Sequence, residues 1–176
     1  YEILTDGETA FTVSSDGTQV VADGLTYTLE TGSGSGSEEQ TIAAGLYETG
    51  SNYATLLTSW EDLLANGTVH VEDGVVYTNV DMSTGSNTSA NALAGDLMLP
   101  NDGSITTLGE AVLDSETAMY TGNVAFAYCS NLTGIIIPDS VTTIDADAFR
   151  NCTSLINIEI PYGVTTVSVG TFWECT

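Results

Sequence analysis

The chain has 176 residues, 42% of them apolar and 14% charged, which is typical of a globular rather than a disordered protein. Its charge is unbalanced: 24 acidic residues face a single cation, Arg150, and the formal net charge is −23. Nucleic acids and anionic lipids bind through Lys and Arg, so the charge argues against both as partners. Metal cations and basic proteins remain, and calcium is a cofactor candidate from charge alone; a solvated acidic surface is the simpler interpretation.

The first 40 residues predict a small β structure followed by a linker. Asp-Gly pairs at Asp6, Asp16 and Asp23 separate runs rich in Thr, Val and Tyr. Asp-Gly tolerates the positive φ angles of a hairpin turn, and β-branched and aromatic residues suit a pleated surface. We therefore predict a β-rich segment over residues 1–30. The Gly/Ser tract at residues 31–40 predicts a flexible linker.

Residues 41–96 predict a short helix and a β-hairpin that cap the region after them. The helix begins at an N-cap, Ser59, and ends at Asn66-Gly67. Two strands then flank Asp73-Gly74, a hairpin signal. Residues 80–96 are rich in Ser, Asn and Thr and predict a loop.

From Leu97 the pattern changes to a repeat. Residues 125–147 and 148–170 align without a gap, share ten identities in 23 positions, and are followed by the opening of a third copy, TFWECT. An imperfect earlier copy begins at Leu97, and residues 113–124 interrupt the series. A fixed period of this length predicts a solenoid, whose coils bury their apolar positions by stacking on their neighbours.

Within each copy the apolar positions predict one strand and a return segment. The Ile-x-Ile spacing places two side chains on one face of a strand, and the following proline ends it because proline cannot donate to the ladder. The predicted fold is mainly β: a solenoid of 23-residue repeats over residues 97–176, truncated in its last repeat, after a β-rich region with one short helix. No apolar run reaches the length of a membrane span.

The frame A-F-x-x-C-x-x-L-x-x-I-x-I-P-x-x-V-T-T resembles the BspA-like leucine-rich repeats of cell-surface proteins, over about residues 97–176 only. The resemblance implies a curved, right-handed solenoid with a parallel strand ladder, and a role in surface attachment or recognition. It carries over no catalytic residue. The chain opens on Tyr1 rather than Met and stops inside a repeat, so we expect a mature piece or a fragment of a longer protein.

Two functions from different classes remain open. In the first, a non-enzymatic extracellular or cell-surface module binds a protein or host-surface ligand through the outward positions of the strand ladder. These positions are Thr133, Gly134, Ile136, Ile156, Asn157 and Glu159. In the second, copies of the chain form an extracellular or pilus-like filament through an open β edge with aromatic neighbours. That edge comprises Ile158, Ile160, Phe172 and Trp173.

The remaining chemistry-bearing residues predict no catalytic or metal site. The cysteines Cys129, Cys152 and Cys175 recur with the repeat and are expected to be buried free thiols, because parallel stacking keeps their Cβ atoms too far apart for a disulfide. The one histidine, His70, has no nucleophile or metal-ligand partner in the pattern. Asn66 and Asn87 lie in sequons within predicted turns and are candidate glycosylation acceptors.

Overall fold

A computed structural model describes residues 11–13, 19–22, 25–28 and 42–176. The chain divides into two compact units, residues 1–40 and 41–176. In the first unit three antiparallel strands form one sheet in the order β1-β2-β3, and these strands are β1 (Phe11–Val13), β2 (Gln19–Ala22) and β3 (Leu25–Thr28). The small antiparallel sheet is therefore confirmed. The three Asp-Gly turns and the linker at residues 31–40 lie outside the described residues.

Among residues 42–176 there are one helix and thirteen strands, so the mainly β prediction with one short helix is confirmed. In chain order they are β4 (Gly45–Tyr47), β5 (Leu56–Ser59), α1 (Trp60–Ala65), β6 (Val69–Glu72), β7 (Val75–Thr78), β8 (Val80–Asp81), β9 (Ser86–Asn87), β10 (Gly95–Met98), β11 (Thr107–Leu108), β12 (Glu110–Asp114), β13 (Met119–Asn123), β14 (Leu132–Ile136), β15 (Thr143–Ile144) and β16 (Asn157–Glu159). No helix among the described residues has the length and apolar character that a membrane crossing requires.

The helix and the hairpin lie where the local signals place them. Ser59 is the N-cap of α1, and its hydroxyl accepts a hydrogen bond from the Asp62 amide at 3.2 Å. This bond satisfies one of the amides that the first turn leaves free. Strands β6 and β7 pair antiparallel around Asp73-Gly74, where both residues have positive φ angles. Both predictions are confirmed.

Two sheets run through the second unit. The first has the order β16-β14-β10-β4-β5, in which β10, β14 and β16 are parallel and β4 pairs antiparallel with β10. The second has the order β15-β11-β7-β6, with β7, β11 and β15 parallel. A bridge from Ile144 to Val167 continues the second ladder. Each repeat thus contributes one strand to the first ladder and a shorter segment to the second.

A third line of contacts joins the repeats at their A-F-x-x-C blocks. The rings of Phe126, Phe149 and Phe172 stack in series, with centroids 5.7 and 5.6 Å apart. The Phe126 amide donates to Ala148 O, and one repeat later the Phe149 amide donates to Thr171 O. Equivalent backbone bonds recur at the repeat period, so the 23-residue spacing in the sequence is also the spacing of the contacts.

The core of the second unit is built from these inward positions. Leu97, Ile135 and Ile158 share one register row of the parallel ladder, and the first two are buried. Leu108 and Ile144 face them from the second ladder and are fully buried. Removing such side chains from water is the main stabilising term of the fold.

Two segments differ from the prediction. Within the predicted loop at residues 80–96 the structure has the short pair β8 and β9 and the first residues of β10. The interruption at residues 113–124 is mostly a β-hairpin, in which β12 and β13 pair antiparallel over five residue pairs. Neither pair follows the repeat frame, because its strands bond to each other rather than to a ladder.

Candidate binding groove on the strand ladder

The outward side chains of the first ladder form two register rows. One row contains Asp96, Gly134 and Asn157, and the next contains Met98, Ile136 and Glu159. Because side chains alternate between the two faces of a strand, these rows lie opposite the buried row of Leu97 and Ile135. The parallel pairing therefore brings the predicted binding residues of successive repeats side by side.

A shallow groove of about 320 Å³ lies on this face, and we call it the ladder groove. Its lining residues are Tyr53, Ile135, Ile136, Ile156, Asn157, Ile158 and Glu159. Four of the residues proposed from sequence, Ile136, Ile156, Asn157 and Glu159, are among them. Ile156 is 76% exposed, and Asn157 and Glu159 are exposed beside it.

Thr133 is an outward residue whose side chain forms hydrogen bonds within the structure. The register shifts between Gly95 and Asp96, so Thr133 has no partner in β10 and its side chain reaches across to Asp96 instead. Its hydroxyl donates to Asp96 Oδ1 at 2.6 Å and lies 2.7 Å from the Thr49 hydroxyl. Thr133 is half-buried and its hydroxyl anchors a neighbouring loop, and a ligand contact at Thr133 stays a prediction.

That loop, residues 48–55, joins β4 to β5 and supplies one side of the ladder groove. The Gly50 amide donates to Asp96 Oδ2 at 3.4 Å, so the buried Asp96 carboxylate holds the loop by two hydrogen bonds, one of them through Thr133. Gly134 has no side chain, and this leaves room for the Asp96 carboxylate, because a Cβ at Gly134 would lie 2.8 Å from Asp96 Oδ1.

Tyr53 is the groove residue that the repeat pattern could not indicate. It lies on this loop with a φ of 60°, and its ring packs edge-on against Tyr47 at 5.5 Å between centroids. Burial, together with the nearby Asp96 carboxylate, raises the pKa of the Tyr53 hydroxyl. Its position depends on loop 48–55 folding over the ladder, and no short-range signal in the sequence encodes that contact.

The proposed assembly edge shares Ile158 with the lining of the ladder groove. Strand β16 is at the end of its sheet and pairs on one side with β14, while Ile158 and Ile160 are half-buried against the core. Phe172 is 38% exposed at the end of the phenylalanine stack, and Trp173 is 57% exposed. The Arg150 guanidinium lies 5.3 Å from the Trp173 ring centroid, a cation–π contact.

Arg150 also pairs with a buried carboxylate. Its Nη1 lies 3.4 Å from Asp147 Oδ2, and Asp147 is almost fully buried. Burial raises the pKa of Asp147, and the Arg150 charge opposes that rise. Arg150, the only Lys or Arg in the sequence, therefore contacts the Asp147 carboxylate and the Trp173 ring of its own chain.

Cys129 and Cys152 are buried free thiols, as predicted, whereas Cys175 is a free thiol that is only half-buried. Cys152 Sγ donates to Phe126 O at 3.1 Å, and Cys175 Sγ donates to Phe149 O at 3.0 Å, so each thiol bonds to the preceding repeat. Burial raises the pKa of Cys129 to about 12 and also raises that of Cys152. These two thiols stay protonated at neutral pH and act as packing groups rather than nucleophiles.

The two glycosylation candidates differ in their surroundings. Asn66 is exposed at the C-cap of α1, and glycosylation there stays a prediction. The Asn87 amide nitrogen lies within hydrogen-bonding distance of Thr78 Oγ1, Ala127 O and Cys129 Sγ. A glycan attached to that nitrogen would displace it from these acceptors, so the geometry disfavours Asn87 as an acceptor.

The described residues contain no group of three or more His, Cys, Asp or Glu side chains that could hold a metal ion. His70 Nε2 lies 2.9 Å from Asn79 Oδ1, and the imidazole stacks on Tyr77 at 5.0 Å. These contacts give His70 a structural role on the β6–β7 hairpin. The net charge therefore remains the only support for calcium binding.

Comparison with known families identifies the C-terminal part of the chain. Residues 106–176 match the family model described as BspA type leucine rich repeat region (6 copies). No curated protein and no solved structure gave a significant match. Repeats of this type are generally non-enzymatic, are common in secreted or surface proteins, and indicate protein interaction or surface binding. Residues 106–176 of this chain are therefore a BspA-type leucine-rich repeat region.

Proposed function

We propose that the chain is a non-enzymatic extracellular or cell-surface recognition and adhesion module that binds a protein ligand through the ladder groove. The observation that carries the proposal is Ile156, a large apolar side chain 76% exposed in the lining of a groove. Exposed apolar side chains that line a concave surface are typical of protein interaction sites. We further propose that residues 97–176 form a solenoid, supported by the two parallel ladders and the phenylalanine stack.

Replacing Ile156 with Ser is expected to weaken ligand binding about thirtyfold, because a buried isoleucine contributes on the order of 2 kcal/mol at an interface. The measurement is saturation binding of the purified chain to a panel of immobilised, purified extracellular proteins. Val169→Ser is the matched control, because Val169 is 64% exposed and is not a groove residue. Binding to no member of the panel, or equal binding by wild type and Ile156→Ser, would contradict the proposal.

A second candidate function is self-assembly into a filament, and it is supported by the side of β16 on which no described strand pairs. The Ile156 amide donates to Thr133 O in β14. Because alternate residues of a strand direct their backbone groups to opposite sides, the amides of Asn157 and Glu159 point away from β14. Such an edge is a template for another strand, and Phe172 and Trp173 in the following half repeat are exposed as well.

If this edge drives assembly, raising the salt concentration is expected to promote it, because salt screens repulsion between chains of net charge −23. Sedimentation velocity over a range of protein concentrations measures the effect. Glu159→Pro removes the outward amide and is expected to abolish association, whereas Glu159→Gln keeps that amide and removes the same charge. A wild-type chain that stays monomeric at high concentration and high salt would rule out the filament.

A further inference from the structure

The ladder groove is acidic and has no cation of its own. The Glu159 carboxylate is exposed in its lining, and the Asp96 carboxylate lies beneath the face beside Gly134. No lining residue is Lys, Arg or His. A ligand that only covered the apolar residues would leave Glu159 at the edge of a contact without an opposite charge, which lowers affinity.

The Asp96 carboxylate is the second acidic group close to the ladder groove. Asp96 accepts one hydrogen bond at each carboxylate oxygen, from Thr133 and from Gly50. After the larger effect of burial, the Asp96 carboxylate helps to raise the pKa of the neighbouring Tyr53 hydroxyl. An aromatic ring beside carboxylates is a favourable surrounding for an ammonium or guanidinium group.

The chain itself has no free Lys or Arg that could supply the countercharge. Arg150, the only cation in the sequence, is engaged by Asp147 and Trp173. A second copy of the chain would bring the same commitment and a further net charge of −23. Charge complementarity therefore favours a basic partner over self-association at this face.

We propose that the ladder groove binds a protein segment in which a Lys or Arg side chain stands next to an apolar side chain. The apolar side chain packs on Ile156 and Ile136, and the cation pairs with Glu159. The inference rests on the proposed function, whose binding site it shares, and it adds the chemical class of the partner.

The test uses two capped peptides, acetyl-Thr-Val-Lys-Leu-Lys-Val-amide and its counterpart with Gln in place of both Lys residues. Binding to the full chain is followed by NMR amide shifts at near-physiological salt. The Lys peptide is expected to bind more tightly and to shift the Asn157, Glu159 and Tyr53 signals. Glu159→Gln is expected to weaken the Lys peptide about fivefold and to leave the Gln peptide unchanged.

Glu110→Gln is the matched control, because Glu110 is an exposed strand residue in β12 and its loss changes the net charge equally. Equal weakening by Glu110→Gln and Glu159→Gln would mean that the peptide responds only to the overall charge, and it would overturn the inference. Equal binding of the Lys and Gln peptides, or no binding of either, would also overturn it.

The experiments distinguish a failure of the proposed recognition function from a failure of the proposed basic partner. If the peptides show no Glu159-dependent preference while Ile156→Ser still weakens binding to the extracellular panel, the recognition function stands and the basic partner is wrong. If Ile156→Ser leaves panel binding unchanged while the Lys peptide retains its dependence on Glu159, the groove binds basic segments but does not mediate the proposed adhesion.

Discussion

Replacing Phe149 with Ala is expected to lower the free energy of unfolding by about 3–5 kcal/mol, the largest stability effect that we predict. Phe149 is fully buried and stacks on both sides, 5.7 Å from Phe126 and 5.6 Å from Phe172. Truncation removes its apolar contacts and leaves a cavity between two repeats. Urea denaturation followed by far-UV circular dichroism measures the loss.

Phe172→Ala is the control for the position of the ring in the stack. Phe172 stacks on Phe149 at the end of the series, and it is 38% exposed. Its truncation creates less of a cavity, and we expect a loss of about 1 kcal/mol. Equal losses for the two variants would show that the stack does not couple the repeats as the geometry indicates.

Replacing Arg150 with Ala is expected to lower the free energy of unfolding by about 2–3 kcal/mol at pH 7. The change leaves the Asp147 carboxylate buried without its countercharge and removes the cation–π contact with Trp173. Breaking a buried pair costs most when one charge stays behind, and the partial exposure of Arg150 reduces that cost. Urea denaturation at several pH values measures the effect.

The loss is expected to depend on pH in a defined direction. Burial raises the folded-state pKa of Asp147 above its ordinary value of 3.8, so the folded state holds this proton more tightly than the unfolded chain does. The contribution of Asp147 to stability therefore falls as the pH rises from the unfolded-state pKa through the folded-state pKa. Removing Arg150 raises the folded pKa further, so the two proteins converge in acid and diverge toward neutral pH.

Asp147→Asn provides the matched background, because it keeps the side-chain shape and removes the charge. In that background the Arg150→Ala change is expected to cost less than about 1 kcal/mol and to lose its pH dependence. An Arg150→Ala loss that is the same at acidic and neutral pH would show that Asp147 is not the group that Arg150 stabilises.

The sequence was sufficient wherever a structural feature depends on neighbours in the chain or on the repeat period. Ser59 and Asn66-Gly67 bound the helix, and Asp73-Gly74 turns the hairpin, because caps and turns act over a few residues. The 23-residue period anticipated the parallel pairing of β14 with β16, since identical apolar positions pack best when they are stacked in register. It also anticipated most of the outward residues that line the ladder groove.

Only the tertiary structure decided which outward residues are free to contact a ligand and which residues from distant segments lie beside them. Thr133 occupies an outward position, but a register shift and the Asp96 carboxylate turn it into an anchor for the loop that carries Tyr53. Asn87 lies in a sequon, but its amide reaches residues from two other segments of the chain. These outcomes depend on contacts between residues far apart in sequence, whose geometry is set only when the segments pack, and local propensity carries no information about them.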